Sequence, residues 1–318
     1  MTRMTYQQMC DGLAAANDWL TSLRIREQHD RIRQHMERIA LLEEARKAGA
    51  LMEATQGDDG RLAMFSLTEA VEFLDTFSAF AGDPPGGLRR RLKDALAGPA
   101  DLAAEATDSN QARNIMFELN LASRIRSRGL PVDLPKENPD ILTRFENVSL
   151  CIQCKRPYKE ETIPANIEKA ASQLRRDLDA DANPDARGIV AISVSRVFNP
   201  GDQIFAGPDE ASVAKRLGDE VQQLGESHAS TWKKIVDPRI VGILFHLITP
   251  AHIQEINLLT VAQEIIVFAL LGRPDSDVEL LREFSSAMKG EIPNYPCPSS
   301  SQNDSINSPK KDSAIRIR

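Results

Sequence analysis

"ENPDILTRFENVSLCIQCKRPY", residues 137–158, places a Pro-Asp pair at the head of one short strand-like run and Gln-Cys-Lys at the end of the next. Side chains on a strand alternate between its two faces, so Cys151, Gln153 and Lys155 share one side and Ile152 and Cys154 the other. A strand that needed only burial would end in Val or Ile rather than in Lys155. Asp140 opens the preceding run after Pro139, and its distance from Gln153 suits a hairpin that sets the two side by side. A carboxylate beside an amide oxygen offers two hard oxygen ligands, which suits Mg²⁺. An adjacent lysine could orient water or neutralise an anionic transition state. The same alternation points Cys151 and Cys154 to opposite faces, so their CxxC spacing does not read as a zinc site.

The elements on either side give this hairpin a setting. "SNQARNIMFELNLASRIRSRG", 109–129, reads as a helix with basic last turns and a terminating Gly129. Glu118 lies on or beside its apolar stripe, among Ile115, Leu121, Ala122 and Ile125, where a carboxylate needs a partner such as Lys155 or a metal. "LPVDL", "DILTRF" and "VSLCIQCK" read as three short strands. "PANIEKAASQLRRDLDA" is a helix opened by Pro164, with Ile167, Ala170, Ala171, Leu174 and Leu178 on one stripe. "RGIVAISVSRV" is a continuous β-branched run of the kind found in a strand covered on both faces. A helix around 209–224 follows, and then two apolar runs near 239–248 and 256–271 that read as two strands or as a strand and a helix.

Helix, three strands, helix, strand, with Glu118 on the first helix, Pro139-Asp140 at the second strand and Gln153-Cys154-Lys155 in the third, resembles the PD-(D/E)XK nuclease superfamily. The resemblance covers roughly residues 112–197 and implies an α/β, restriction-endonuclease-like core. It further implies that Asp140, Gln153 and Glu118 ligate Mg²⁺ or Mn²⁺, that Lys155 is the catalytic lysine, and that DNA is the substrate. Gln153 stands where an acidic residue is usual, and the Mrr-type branch is similar to this chain in having Gln there. Gln173, on the polar side of the second helix, matches a position often polar in these nucleases. The alternative is a catalytically inactive nuclease fold that binds nucleic acid or a protein partner; a third reading is a helical scaffold whose α/β half is structural.

Residues 1–108 read as an α-helical region, 109–293 as the nuclease-like α/β domain, and 294–318, rich in Ser, Asn and Pro, as a disordered tail. Residues 18–54 carry Leu20, Leu23, Ile32, Met36, Ile39 and Leu42 at helical spacing, as in a coiled-coil-like arm or helical hairpin through which two copies could form a homodimer. Ser66 and Glu69 stand in capping-box positions before a second helix, and "GDPPGG" separates it from a third, "LRRRLKDALAG".

The composition, 42% hydrophobic and 27% charged, is that of an ordinary globular protein. Its longest apolar runs are too short for a membrane helix, and the first twenty residues lack a secretory apolar segment, so a cytoplasmic location is expected and a membrane partner is not. Four cysteines, Cys10, Cys151, Cys154 and Cys297, are too few and too scattered for a disulfide framework. The net charge of −7 conceals a basic middle: residues 110–160 hold nine Lys and Arg against six Asp and Glu. His246 and His252 sit in apolar surroundings and read as structural histidines, and Trp232 and Tyr158 read as packing residues.

Overall fold

The computed structural model describes residues 4–25, 31–98, 111–181, 183–201 and 203–289. The expected tail, 294–318, and Cys297 lie outside them. The protein is α/β, with helices at its N-terminus and a seven-stranded mixed sheet after them.

The N-terminal region forms α1 (Tyr6–Ser22), α2 (Arg31–Lys47), α3 (Gly57–Phe80) and α4 (Leu88–Leu96). A true capping box starts α1: the Thr5 side chain accepts from the Gln8 N–H, and the Gln8 side chain answers to the Thr5 N–H. α1 and α2 pack against each other as a hairpin, with Leu20, Ile32, Ile39 and Leu42 buried. The expected capping box at Ser66 and Glu69 is not one. α3 starts at Gly57, and both residues lie in its interior, Ser66 facing His35 and Glu69 facing two arginines. The box spacing of three residues is also the spacing of neighbours on one helix face, so the pattern alone cannot separate a cap from a buried polar stripe.

α5 (Gln111–Ser127) follows, closed by Gly129 at φ 77°, a left-handed conformation that glycine adopts without strain. Then come β1 (Val132–Asp133), β2 (Ile141–Phe145), β3 (Val148–Lys155), α6 (Ile163–Ala180) and β4 (Arg187–Ser193). The rest is α7 (Ser195–Phe198), β5 (Phe205–Gly207), α8 (Glu210–Ser227), α9 (Ala229–Trp232), β6 (Ile240–Ile253), β7 (Leu258–Ala269) and α10 (Asp275–Lys289). The two late apolar runs are therefore both strands. They form a long antiparallel hairpin from Gly242↔Ala269 to Ile253↔Leu258. α10 has no counterpart in the reading of the sequence.

The sheet runs β1-β2-β3-β4-β6, with β7 beside β6 and β5 paired to the far half of β6. β1, β2 and β3 are antiparallel neighbours, while β3, β4 and β6 are parallel. Alternation along β3 sorts its side chains between two cores. Leu150, Ile152 and Cys154 join the cluster of α3, α5 and α10, and Cys151 joins that of α6 and α8. α6 buries Ile167, Ala170, Leu174 and Leu178 against the second face, each large side chain contributing about 1.5–3 kcal/mol. The first cluster runs from Tyr6 to Met288, so the N-terminal helices and the sheet share one core, and the Tyr6 hydroxyl donates to the Leu259 carbonyl at 2.8 Å. β3 and β4 end together, at Lys155 and Ser193, while β6 runs on to Ile253; beside those ends stand β2 and α5.

Candidate active site

β2 and β3 pair in the register Ile141↔Ile152, which sets Asp140 at the head of β2 against the last residues of β3. Asp140 Oδ2 accepts the Cys154 N–H at 2.8 Å and lies 3.9 Å from the Lys155 ammonium. Lys155 Nζ donates to the Cys154 carbonyl at 2.9 Å and reaches the Gln153 amide oxygen at 3.5 Å. The three strand residues singled out in the sequence thus converge at one end of β3.

Gln153 is fully buried, and its Nε2 donates to Asp177 Oδ2 at 2.9 Å from α6. A carboxylate accepts and does not donate, so Asp177 turns the NH₂ of Gln153 toward α6 and leaves its oxygen facing Lys155. Asp177 was not foreseen. The α6 residue noted in the sequence was Gln173, one turn earlier, whose Oε1 is buried without a partner.

Glu118 comes from α5, and its ion-pair partner is neither Lys155 nor any strand residue. It is Arg91 of α4, whose Nε donates to Glu118 Oε2 at 3.1 Å. The same guanidinium donates to the carbonyls of Pro135 at 2.8 Å and Asp140 at 2.9 Å. Arg91 therefore ties the helical region to Glu118 and to the turn that carries Asp140. The one sequence signal for it was its place in the Arg-Arg-Arg run of α4, where it is the buried last member after two exposed ones.

Burial dominates the electrostatics. It pushes the Glu118 carboxyl up to about 7, and the charge of Asp140 adds to the rise while Arg91 and Lys155 oppose it. Burial also raises Asp140, against the pull of Lys155, the Cys154 N–H and Arg91. Asp177 is raised by burial as well, with the Gln153 bond opposing. Crowded carboxyls of this kind hold protons or attract a cation.

Among the described residues, no three His, Cys, Asp or Glu stand together as a metal-holding group. The donor set here is different in kind: the carboxylates of Asp140 and Glu118 and the neutral oxygen of Gln153. Hard oxygen ligands, few and supplemented by water, fit Mg²⁺ or Mn²⁺. The orientation of Gln153 imposed by Asp177 is the feature that makes its oxygen usable.

The remaining candidates are structural. His246 is buried, stacks on Phe117 and accepts from the Gln263 side chain; burial, helped by Arg124, lowers it to about 3 and keeps it neutral. His252 faces Asn257 Oδ1 at 3.0 Å. Trp232 packs against Phe245 and Phe268, and the Tyr158 hydroxyl accepts from Arg196. Cys151 and Cys154 are free and lie in opposite cores. No described helix is long and apolar enough to cross a membrane. No family model, curated protein or solved structure matches the chain.

Proposed function

We propose that the protein is a metal-dependent nuclease of restriction-endonuclease-like core, hydrolysing phosphodiester bonds in DNA. The observation that carries this reading is the convergence of Asp140, Gln153 and Lys155 at the end of β3, with the Lys155 ammonium 3.9 Å from Asp140 and 3.5 Å from the Gln153 oxygen. The element order α5, β1–β3, α6, β4 and the approach of Glu118 from α5 support it further.

Asp140 and the Gln153 oxygen would hold Mg²⁺ or Mn²⁺, with Glu118 close behind. The ion, when bound, supplies Lewis-acid polarisation of the phosphate and a more acidic water. Lys155 Nζ lies 3.9 Å from the Asp140 carboxylate, where it would orient a water for attack on phosphorus or offset charge on the phosphoryl oxygens. The P–O bond opposite the incoming water breaks, and the leaving oxygen takes a proton from solvent. Arg91 holds the Glu118 carboxylate in place from behind.

Nicking of supercoiled plasmid in Mn²⁺, with Lys155→Ala as control, tests the proposal. The wild-type chain is expected to cut and the variant to fall below detection, with melting temperatures within a few degrees. Equal cutting by both would remove Lys155 from the mechanism. No cutting by the wild type, on single- or double-stranded DNA or RNA, would leave an inactive fold that binds nucleic acid or a partner. One observation favours that second reading: Lys155 satisfies Gln153 and Asp140 directly, so the cluster is neutralised without an ion.

A further inference from the structure

A small cleft of about 60 Å³ opens near this cluster, between the N-terminal helices and the carboxyl ends of β3 and β4. Arg156, the residue after Lys155, lines it, and so does Phe117, the residue before Glu118. Ser193 ends β4 and Ser195 begins α7, and both stand in its wall. Such ends of parallel strands are where open α/β sheets bind their ligands.

Arg196 is the unusual member. Its residue is 9% exposed, yet among the described residues the groups it meets are neutral. One terminal nitrogen donates to the Pro200 carbonyl and the other to the Tyr158 hydroxyl at 2.7 Å, with the Tyr158 ring 4.7 Å from the guanidinium. Its Nε is buried with no acceptor among the described residues. A guanidinium removed from water without a counter-anion is costly, and the cost is recovered when an anion arrives.

The cleft also holds two acidic residues, and neither opposes an anion at neutral pH. Glu69 is saturated by Arg31, His35 and Arg113 at 2.7–2.9 Å. Burial and the neighbouring Glu69 push Glu72 up to about 8, so it carries a proton, with Arg156, Arg113 and Arg31 opposing. Arginines, hydroxyls and a neutral acid make a surface for phosphate, which guanidinium recognises through paired N–H groups.

We propose that this cleft seats a phosphate of the substrate strand neighbouring the one at Lys155, with Arg196 and Arg156 as its cationic ligands and Ser193 and Ser195 beside them. The assignment to a nucleic-acid strand rests on the nuclease reading, and continuity through Lys155–Arg156 is its basis. The phosphate chemistry stands on the cleft alone.

The test is binding in EDTA by the full chain, using a fluorescein-labelled single-stranded dodecanucleotide, with inorganic phosphate as a competing probe. Arg196→Gln and Arg156→Gln are each expected to weaken oligonucleotide binding about tenfold and to reduce the slope of log affinity against log salt by about one. Arg196→Lys should restore part of the loss, which a role confined to packing against Tyr158 would not produce. Arg156→Gln carries the test if Arg196→Gln does not fold. Oligonucleotide affinity within twofold of wild type in both glutamine variants, or no oligonucleotide binding by the wild type, overturns the proposal. Competition by inorganic phosphate that both variants lose, without any change in oligonucleotide binding, marks a free-anion site and overturns the strand assignment. Cleavage by the wild type in Mn²⁺ is read separately: lost binding in the variants without wild-type cleavage keeps the subsite and rejects the nuclease.

Discussion

In the proposed metal site Gln153 stands where a carboxylate would bind a cation more strongly, and Asp177 supplies a physical reason. The two side chains meet at 2.9 Å as amide donor and carboxylate acceptor. A glutamate at 153 would oppose Asp177 across the same gap, inside a buried site that already crowds Asp140. Gln153→Glu is therefore expected to destabilise the metal-free protein by about 1–3 kcal/mol, the usual cost of losing a buried hydrogen bond to a charged group. Mn²⁺ should recover part of that loss and should be needed at lower concentration for cleavage, because the ion gains an anionic ligand. Adding Asp177→Asn gives the new carboxylate a donor and should restore stability without metal. Urea unfolding of the two single variants and the double variant measures the coupling, and strict additivity would mean that the pair does not interact. At this scale the site was half legible. Asp140, Gln153 and Lys155 are related by strand alternation and a hairpin, which are local and written in the spacing. Arg91 and Asp177 reach the site only because α4 and α6 dock where they do, and no local spacing carries that information.

Among the elements, α3 holds the helical region to the α/β part through one buried acid. Glu69 accepts from Arg31 of α2 at 2.7 Å and from Arg113 of α5 at 2.9 Å, and His35 of α2 lies 2.9 Å away. Two guanidiniums hold this carboxyl well below the usual range, against a burial that acts the other way. Glu69→Gln removes the anion that both buried arginines share and is expected to cost about 3–5 kcal/mol, read as a fall in the urea midpoint. A loss below 1 kcal/mol would mean that apolar packing alone joins α2, α3 and α5. The same residue shows why the reading of elements stopped short. Buried polar positions three residues apart imitate a cap, so the start of α3 was placed nine residues late. β6 and β7 are apolar on nearly every position because helices cover both faces, and a run without alternation does not distinguish strand from helix. Amphipathic elements with one covered face, α5 and α6, matched their expected spans closely.

Across the whole molecule, a net charge of −7 coexists with Arg91, Lys155, Arg156 and Arg196 around the end of β3 and the neighbouring cleft. Two acids of α3, Glu72 and Asp75, have raised pKa values, and this has a consequence for stability. Glu72 is pushed up to about 8 among Glu69, Arg156, Arg113 and Arg31, and Asp75 up to about 7 by burial, with Arg124 and Asn120 opposing. In the unfolded chain both acids are ionised above about pH 4.5. Between there and their folded values the native state binds more protons, so stability falls as pH rises, and it stops falling once the folded carboxyls have ionised. The buried histidines act in the opposite sense, since His35 and His246 are lowered and stay neutral, but their effect lies below about pH 6.5. Between pH 6.5 and 8.5 the acids dominate, and Glu72 alone is expected to remove about 1–2 kcal/mol over that interval. Urea midpoints should drop across it, and Glu72→Gln together with Asp75→Asn should flatten the drop while leaving the protein folded at pH 6.5. The ionised Glu72 would also face the incoming phosphate, so oligonucleotide affinity in EDTA should weaken over the same interval in wild type and hold steady in Glu72→Gln. Midpoints and affinities independent of pH from 6.5 to 8.5 would place both acids in contact with water and remove the protonated wall from the cleft.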